Sequence, residues 1–120
     1  MIDKSNKEDI VTFLKRKGFV YQGSDIYGGL SGPAIKPVAL KMVYQVSQAV
    51  TLPIIGIGGI TNGRDALEFF LAGASAVQVG TSIFIDPEVH KKIIQEIESY
   101  LDKNSYNNIS EIVGLAWKGN

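Results

Sequence analysis

Two pairs of residues in this sequence have types and positions suited to binding an anion. Gly58-Gly59 and Gly80-Thr81 each follow a short apolar run and precede a stretch with helical periodicity, and Gly32 lies in a loop before an earlier helix. A glycine has no Cβ to keep a ligand away from the backbone amides, and amides at a helix N-terminus point at an anion with the helix dipole behind them. The Thr81 hydroxyl adds one more donor. These five residues predict a phosphate-binding site.

A glycine after a strand also serves simply to permit a tight turn, so one such position does not distinguish a ligand loop from an ordinary connection. The argument for phosphate is that two consecutive strand ends carry Gly-Gly and Gly-Thr. In barrels of alternating strands and helices, the loops after the last two strands often form such a site. The spacing alone does not identify the ligand.

Other candidate side chains predict less. His90 stands alone on a helix and is expected at the surface, because no Ser or carboxylate is spaced to pair with it. Asp65 and Glu68 lie three residues apart on a helix, which is typical of a solvated face. Lys36 either meets an anion or faces solvent, and Trp117 is expected to pack under the last long helix. We therefore assign no catalytic residue and no metal ligand.

The composition excludes several classes of protein. The 120 residues include 12 Lys+Arg against 12 Asp+Glu, so no charge excess draws the chain to nucleic acid or to an anionic membrane. Cysteine is absent, which rules out a disulfide, a thiolate nucleophile and a Cys-based metal site. No apolar run approaches the roughly 18 residues of a membrane span, and the polar start MIDKSNKED is not a signal peptide. A soluble, cytoplasmic, globular chain is expected.

The predicted elements alternate. A first helix runs from Ser5, which forms a capping box with Glu8, to Gly18, and is followed by a short strand at 19–21 and a glycine-rich loop at 23–33. Further along, two strands alternate with helices, at 54–57 and at 76–79, and the first of these strands is expected to be covered on both sides. Thr61 is expected to cap the helix between the two strands. A short helix is predicted at 110–113. The predicted buried positions of three of the helices are Ala39, Met42, Val43, Val46 and Val50, then Ala66, Leu67, Phe70 and Leu71, then Val89, Ile93, Ile94, Ile97 and Leu101. This order predicts an α/β fold with parallel strands and right-handed crossovers.

Four stretches, in this order, carry a resemblance to a known family: GGLSGPAIKPVALKMVYQVSQAV, PIIGIGGI, FFLAGASAVQVGT and FIDPEV. From about Gly28 to Trp117 the chain resembles the C-terminal part of class 1 dihydroorotate dehydrogenases, closest to the type B kind that works with an electron-transfer subunit. The resemblance implies a TIM barrel that holds FMN, which takes a hydride from dihydroorotate to make orotate in pyrimidine synthesis. It also implies that Gly32, Gly58, Gly59, Gly80 and Thr81 contact FMN, mostly around its phosphate.

A complete barrel needs about 250 residues, so the fold expected here is a partial (β/α)8 TIM barrel, its last two or three βα units with a helical N-terminal extension. By the same resemblance, the family's cysteine base, its lysine near the flavin and the asparagines that hold orotate come from earlier strands. We therefore expect that these 120 residues do not turn over dihydroorotate alone. Without barrel neighbours the strands should have open edges and an exposed inner face, which favour self-association.

The first part of the chain has a second resemblance. Residues 7–30, KEDIVTFLKRKGFVYQGSDIYGGL, resemble the opening of glycyl-tRNA synthetase, and the two resemblances meet at Gly28-Gly29-Leu30. This predicts a chimera with a boundary between 1–30 and 31–120, and without the later synthetase motifs it predicts no ATP or tRNA site. Two alternatives stay open at this point: a dehydrogenase portion that binds FMN, and a non-catalytic phosphate-binding or oligomerising domain. A synthetase fragment is a third interpretation, which residues 31–120 contradict.

Overall fold

The structure is a computed structural model, and it describes residues 29–119. The predicted first helix, the predicted strand at 19–21 and Gly28 lie outside the described residues. Within them, the chain begins with a 3-10 turn at Pro33–Ile35 and ends with a second one at Ile109–Ile112 and a short helix. The regular elements are α1 (Lys36–Ala49), β1 (Ile55–Ile57), α2 (Gly63–Ala72), β2 (Ala76–Gln78), α3 (Ser82–Ile85), α4 (Val89–Lys103) and α5 (Leu115–Lys118).

The two described strands are parallel neighbours, as predicted. Ile55 pairs with Ala76 and Ile57 pairs with Gln78, so α2 forms the connection between them. One face of this sheet is covered, because a methyl group on Gly56 would lie 2.6 Å from the Phe69 ring of α2. The other face is open, with Ile55 and Ile57 57% and 55% exposed. The prediction that strand 54–57 is covered on both sides is therefore wrong, whereas the expected exposed inner face is present.

Helix α2 lies at the centre of the core. Asn62 caps it, since its side-chain oxygen accepts a 2.9 Å hydrogen bond from the Asp65 amide, and Gly73 ends it with a φ of 122°. The prediction that Thr61 caps this helix is wrong, because the Thr61 hydroxyl donates its hydrogen bond to the Asp65 carboxylate. The residues of this helix buried as predicted are Ala66, Leu67 and Phe70; Leu71 is half-buried, and Phe69, which the prediction omitted, is fully buried.

The predicted stripes of the other two long helices are partly correct. In α1, Ala39 and Val43 are buried, as is Val50 just after the helix, whereas Met42 and Val46 are only half-buried. In α4, Val89 and Ile93 are buried, and Ile97 and Leu101 are half-buried. Ile94 is 53% exposed, so its predicted burial is wrong. It lies one position away from Ile93, about 100° around the helix and off the face that meets α2.

The end of the chain packs differently from the prediction. Trp117 lies in α5, and its indole N–H donates a 3.0 Å hydrogen bond to the Ala72 carbonyl at the C-terminus of α2. It therefore packs against α2, not under α4. The short helices α3 and α5 were not predicted, because four residues are too few to show a helical period. Among residues 29–119, no helix is long and apolar enough to cross a membrane.

Candidate functional site

The five glycine-site residues predicted from the sequence lie together. Gly32, Gly58, Gly59, Gly80 and Thr81 all line one cavity of about 410 Å³. The other described residues around it are Leu30, Ser31, Ile35, Ile57, Ile60 and Gln78. None of the described lining residues carries a charge, so an anion in this cavity would depend on backbone amides and hydroxyl groups.

Strand pairing and one buried hydrogen bond bring the two glycine turns together. Ile57 and Gln78 are partners at the ends of β1 and β2, so the turns that follow leave the same edge of the sheet. The Ser82 hydroxyl, directly after Gly80-Thr81, donates a buried 2.8 Å hydrogen bond to the Ile60 carbonyl, directly after Gly58-Gly59. The two turns are therefore fixed against each other.

The glycines of the first turn are required by the fold itself. Gly58 and Gly59 have φ values of 131° and 70°, which L side chains rarely adopt. A methyl group on Gly58 would lie 2.8 Å from Ala39 Cβ, and one on Gly59 would lie 2.8 Å from the Gly32 carbonyl oxygen. Backbone conformation and close packing thus explain both residues without any ligand.

Gly80 is different. Its φ lies outside the left-handed region, and a methyl group built on it would meet no atom within 4 Å. The fold of the described residues therefore gives no reason for a glycine there. A glycine also allows a ligand to come close to the backbone. A ligand in the cavity that Gly80 lines would therefore explain the missing side chain.

The backbone donors of both turns are available. Among residues 29–119, no acceptor receives a hydrogen bond from the amides of Gly59, Gly80 or Thr81. The Gly58 amide ends the parallel ladder and faces the Gln78 carbonyl, because Ile57 pairs with Gln78. Backbone amides are strong donors that need a partner, from water or from a ligand. Two turns with free amides on one cavity provide donors suited to an oxyanion.

A partly buried ion-pair cluster lies next to the first turn. Lys36 Nζ contacts Asp65 Oδ1 at 2.6 Å and Glu68 Oε2 at 2.8 Å. The other oxygen of Asp65, Oδ2, accepts hydrogen bonds from the Thr61 amide at 2.9 Å and from the Thr61 hydroxyl at 2.7 Å. The prediction that Asp65 and Glu68 form a solvated face is wrong for Asp65, which is 8% exposed. Lys36 is partly buried, and its ammonium group pairs with these carboxylates and does not line the cavity.

The pKa values of the two central groups follow from these contacts. The hydrogen bonds to Asp65 and Glu68 raise the pKa of the Lys36 ammonium above its ordinary value. Burial would raise the pKa of the Asp65 carboxyl, but the hydrogen bonds from Lys36 and Thr61 outweigh burial, so this pKa lies below its ordinary value. Both groups are therefore charged at neutral pH.

The remaining sequence candidate, His90, is exposed on α4, as expected. Ser82 and the partners of Lys36 were not predicted from the sequence. No local signal marks these contacts, because Ser82 lies 22 residues from Ile60 and Lys36 lies 29 residues from Asp65.

Comparison with known proteins decides the family. The family model described as dihydroorotate dehydrogenase matches residues 1–101. The chain belongs to this family. A dihydroorotate dehydrogenase B (NAD(+)) catalytic subunit from Geobacter sp. (strain M21) is 60% identical over 91 residues, and one from Bacillus mycoides (strain KBAB4) is 62% identical over 91 residues. These alignments cover 76% of this chain, which spans only about 30% of the length of these relatives.

Solved structures agree with the family assignment. A crystal structure of a DHODH from Eimeria tenella in complex with ferulenol matches with a TM-score of 0.73 and 26% identity, over 98% of this chain and 36% of that one. The ligand-free form from the same organism gives a TM-score of 0.73 at 27% identity. The described residues of this dihydroorotate dehydrogenase family member form part of an α/β barrel, as predicted. The family match begins at residue 1, so it includes the segment 7–30 for which a second origin was predicted.

We expect the Lys36–Asp65 cluster to make the free energy of unfolding of this chain depend on pH in the acid range. Because the pKa of Asp65 is lower in the folded state, its contribution is complete above its unfolded pKa of about 4 and is lost as the pH falls through the folded value. Urea unfolding at several values between about pH 3 and pH 7 measures this loss. Asp65→Asn should reduce the loss of unfolding free energy between about pH 7 and pH 3. Asp102→Asn, at an exposed position, is the control and should show the same loss as the unmodified chain. An unchanged acid slope in Asp65→Asn would contradict the assignment.

Proposed function

We propose that these residues are the FMN-phosphate-binding portion of a dihydroorotate dehydrogenase, which converts dihydroorotate to orotate in pyrimidine synthesis. The observation that carries the proposal is the position of Gly80. It lines the same cavity as Gly58-Gly59, its amide is free among the described residues, and those residues give no other reason for a glycine there. Family membership supplies the flavin as the expected ligand.

The residues of this chain would hold the phosphate without a cation. The amides of Gly59, Gly80 and Thr81 are free among the described residues to donate to phosphate oxygens, and the Thr81 hydroxyl adds a further donor. The apolar side chains that line the cavity, Leu30, Ile35, Ile57 and Ile60, reduce the access of water to such an ion. Bound FMN would supply the hydride-accepting chemistry, and the protein supplies binding and orientation.

A second candidate function is a non-catalytic phosphate-binding or oligomerising domain. The exposed face of the sheet favours it, because Ile55 and Ile57 lie more than half exposed. The flavin distinguishes the two functions. The first predicts a yellow purified protein with equimolar FMN, whereas the second predicts a colourless one.

Gly80→Ala should weaken FMN binding without weakening the fold. A methyl group there has free space within the protein, but it would occupy the ligand side of the cradle. We expect about a tenfold loss of FMN affinity, or about 1.4 kcal/mol, measured by quenching of flavin fluorescence, with an unchanged melting temperature.

Gly119→Ala is the matched control, since a methyl group at that exposed glycine also meets no atom within 4 Å. It should bind FMN as the unmodified chain does. Equal FMN affinity in Gly80→Ala and Gly119→Ala would remove the main support for the proposed cradle.

We propose that the 120-residue chain does not oxidise dihydroorotate by itself. By family resemblance the base is a cysteine, and this sequence has none. A phosphate cradle alone does not hold a flavin ring against a substrate in a closed site, which hydride transfer needs. Steady-state oxidation of dihydroorotate should equal a no-protein control, and any reproducible excess would refute the proposal.

We also propose that the isolated chain self-associates through its open sheet. The exposed Ile55 and Ile57, together with unpaired strand edges, give it an apolar surface that a second copy can cover. Light scattering should report a mass above that of the monomer. A monomeric mass together with a sharp cooperative melting transition would argue against self-association.

The proposals about a partner subunit and about the origin of the first 30 residues rest on the comparison with relatives. Those relatives are named catalytic subunits, which supports a separate electron-transfer subunit for the protein that contains these residues. The division into 1–30 and 31–120, and the glycyl-tRNA synthetase origin of the first part, stay predictions with less support, since the family match begins at residue 1. Genomic DNA sequence across codons 25–33 would test that boundary.

A further inference from the structure

We propose that Lys36 is a positioning residue for the phosphate cradle: it fixes the Gly58-Gly59 turn through Asp65 and cancels carboxylate charge that would repel the phosphate. The inference rests on the proposed FMN-phosphate site and adds a specific electrostatic role to it. Lys36 itself does not line the cavity.

The backbone of Lys36 is in direct contact with the turn. A methyl group on Gly59 would lie 2.8 Å from Lys36 Cβ and 3.0 Å from Lys36 N. Lys36 is also the first residue of α1 and follows Ile35, which lines the cavity. A displacement of Lys36 would therefore move one wall of the cavity and the turn together.

The side chain of Lys36 holds the same turn from its other end. Its ammonium group contacts Asp65 Oδ1 at 2.6 Å, and Asp65 Oδ2 accepts hydrogen bonds from the Thr61 amide and hydroxyl. Thr61 lies two residues after Gly59, so the turn is held on both sides by one ion-paired unit. Charge-assisted hydrogen bonds of this kind are shorter and stronger than neutral ones.

The charges of this cluster matter for an anion nearby. Lys36 faces two carboxylates, Asp65 and Glu68, and the remaining cation, Arg64, has an 89% exposed side chain that lies 3.6 Å from Glu68. The Asp65 carboxylate lies 2.9 Å from the Thr61 amide nitrogen, and Thr61 is at most about 7 Å along the chain from Gly59. The carboxylate is therefore at most about 10 Å from the turn, the Debye length at about 0.1 M salt, and burial reduces the screening further. Without Lys36, the partly buried carboxylates would oppose a phosphate in the cavity.

The test compares the binding of FMN and riboflavin, which lacks the phosphate, to the 120-residue chain and its variants. Lys36→Met should weaken FMN binding about tenfold at low salt, less at roughly 1 M salt, and leave riboflavin binding unchanged. Lys36→Arg, which keeps the charge, should restore most of the affinity. Lys41→Met removes an exposed lysine from the same helix and should bind FMN like the unmodified chain.

Glu68→Gln should change FMN affinity in the opposite direction. This test remains valid even if the Lys36→Met variant does not fold. It keeps the Lys36–Asp65 pair and removes one negative charge, so FMN should bind about threefold more tightly at low salt. A purely structural role for the cluster would predict weaker binding or no change for this variant.

The outcomes separate the two proposals. If the unmodified chain binds FMN no better than riboflavin, the phosphate site fails, and the role of Lys36 fails with it. If the unmodified chain prefers FMN but Glu68→Gln does not tighten binding, only the role of Lys36 fails. Equal losses of FMN and riboflavin binding in Lys36→Met, independent of salt, would also overturn it.

Discussion

The buried hydrogen bond from the Ser82 hydroxyl to the Ile60 carbonyl is the contact on which the site depends. It joins the turn after β1 to the turn after β2, and it satisfies a carbonyl that would otherwise be buried without a partner. Parallel pairing places the two strand ends at one edge of the sheet, but it does not fix the loops that follow. A lost buried hydrogen bond costs about 1–3 kcal/mol, so this contact keeps free amides from both turns on one cavity.

The glycines of the site have two different physical origins. Gly58 and Gly59 are needed by the fold, because their backbone conformation and the nearby Ala39 and Gly32 leave no room for a side chain. Gly80 has no left-handed φ and has open space around it, so neither the conformation nor the packing of the described residues requires a glycine there. A glycine motif therefore becomes an argument for a ligand only after the conformational explanation has been tested at each position.

Much of this site could be predicted from local sequence, and the rest could not. Glycines after short apolar runs predict turns at strand ends, and parallel pairing then predicts that the turns meet. The contacts of Lys36 could not be predicted, since its carboxylate partners lie 29 and 32 residues away and their i, i+3 spacing on α2 looks like a solvated face. The exposure of Ile55 and Ile57 agrees with the expectation drawn from the missing barrel neighbours and contradicts the one drawn from the apolar run, because an apolar run does not say how many of its faces are covered.

The central claim is that the amides of both glycine turns bind one phosphate group. Titration of the ¹⁵N-labelled chain with FMN, followed by amide chemical shifts, tests this claim most directly. The account predicts that the Gly59, Gly80 and Thr81 amides shift together along one saturating curve, and that riboflavin does not reproduce these shifts. Shifts confined to one turn, or separate curves for the two turns, would contradict it.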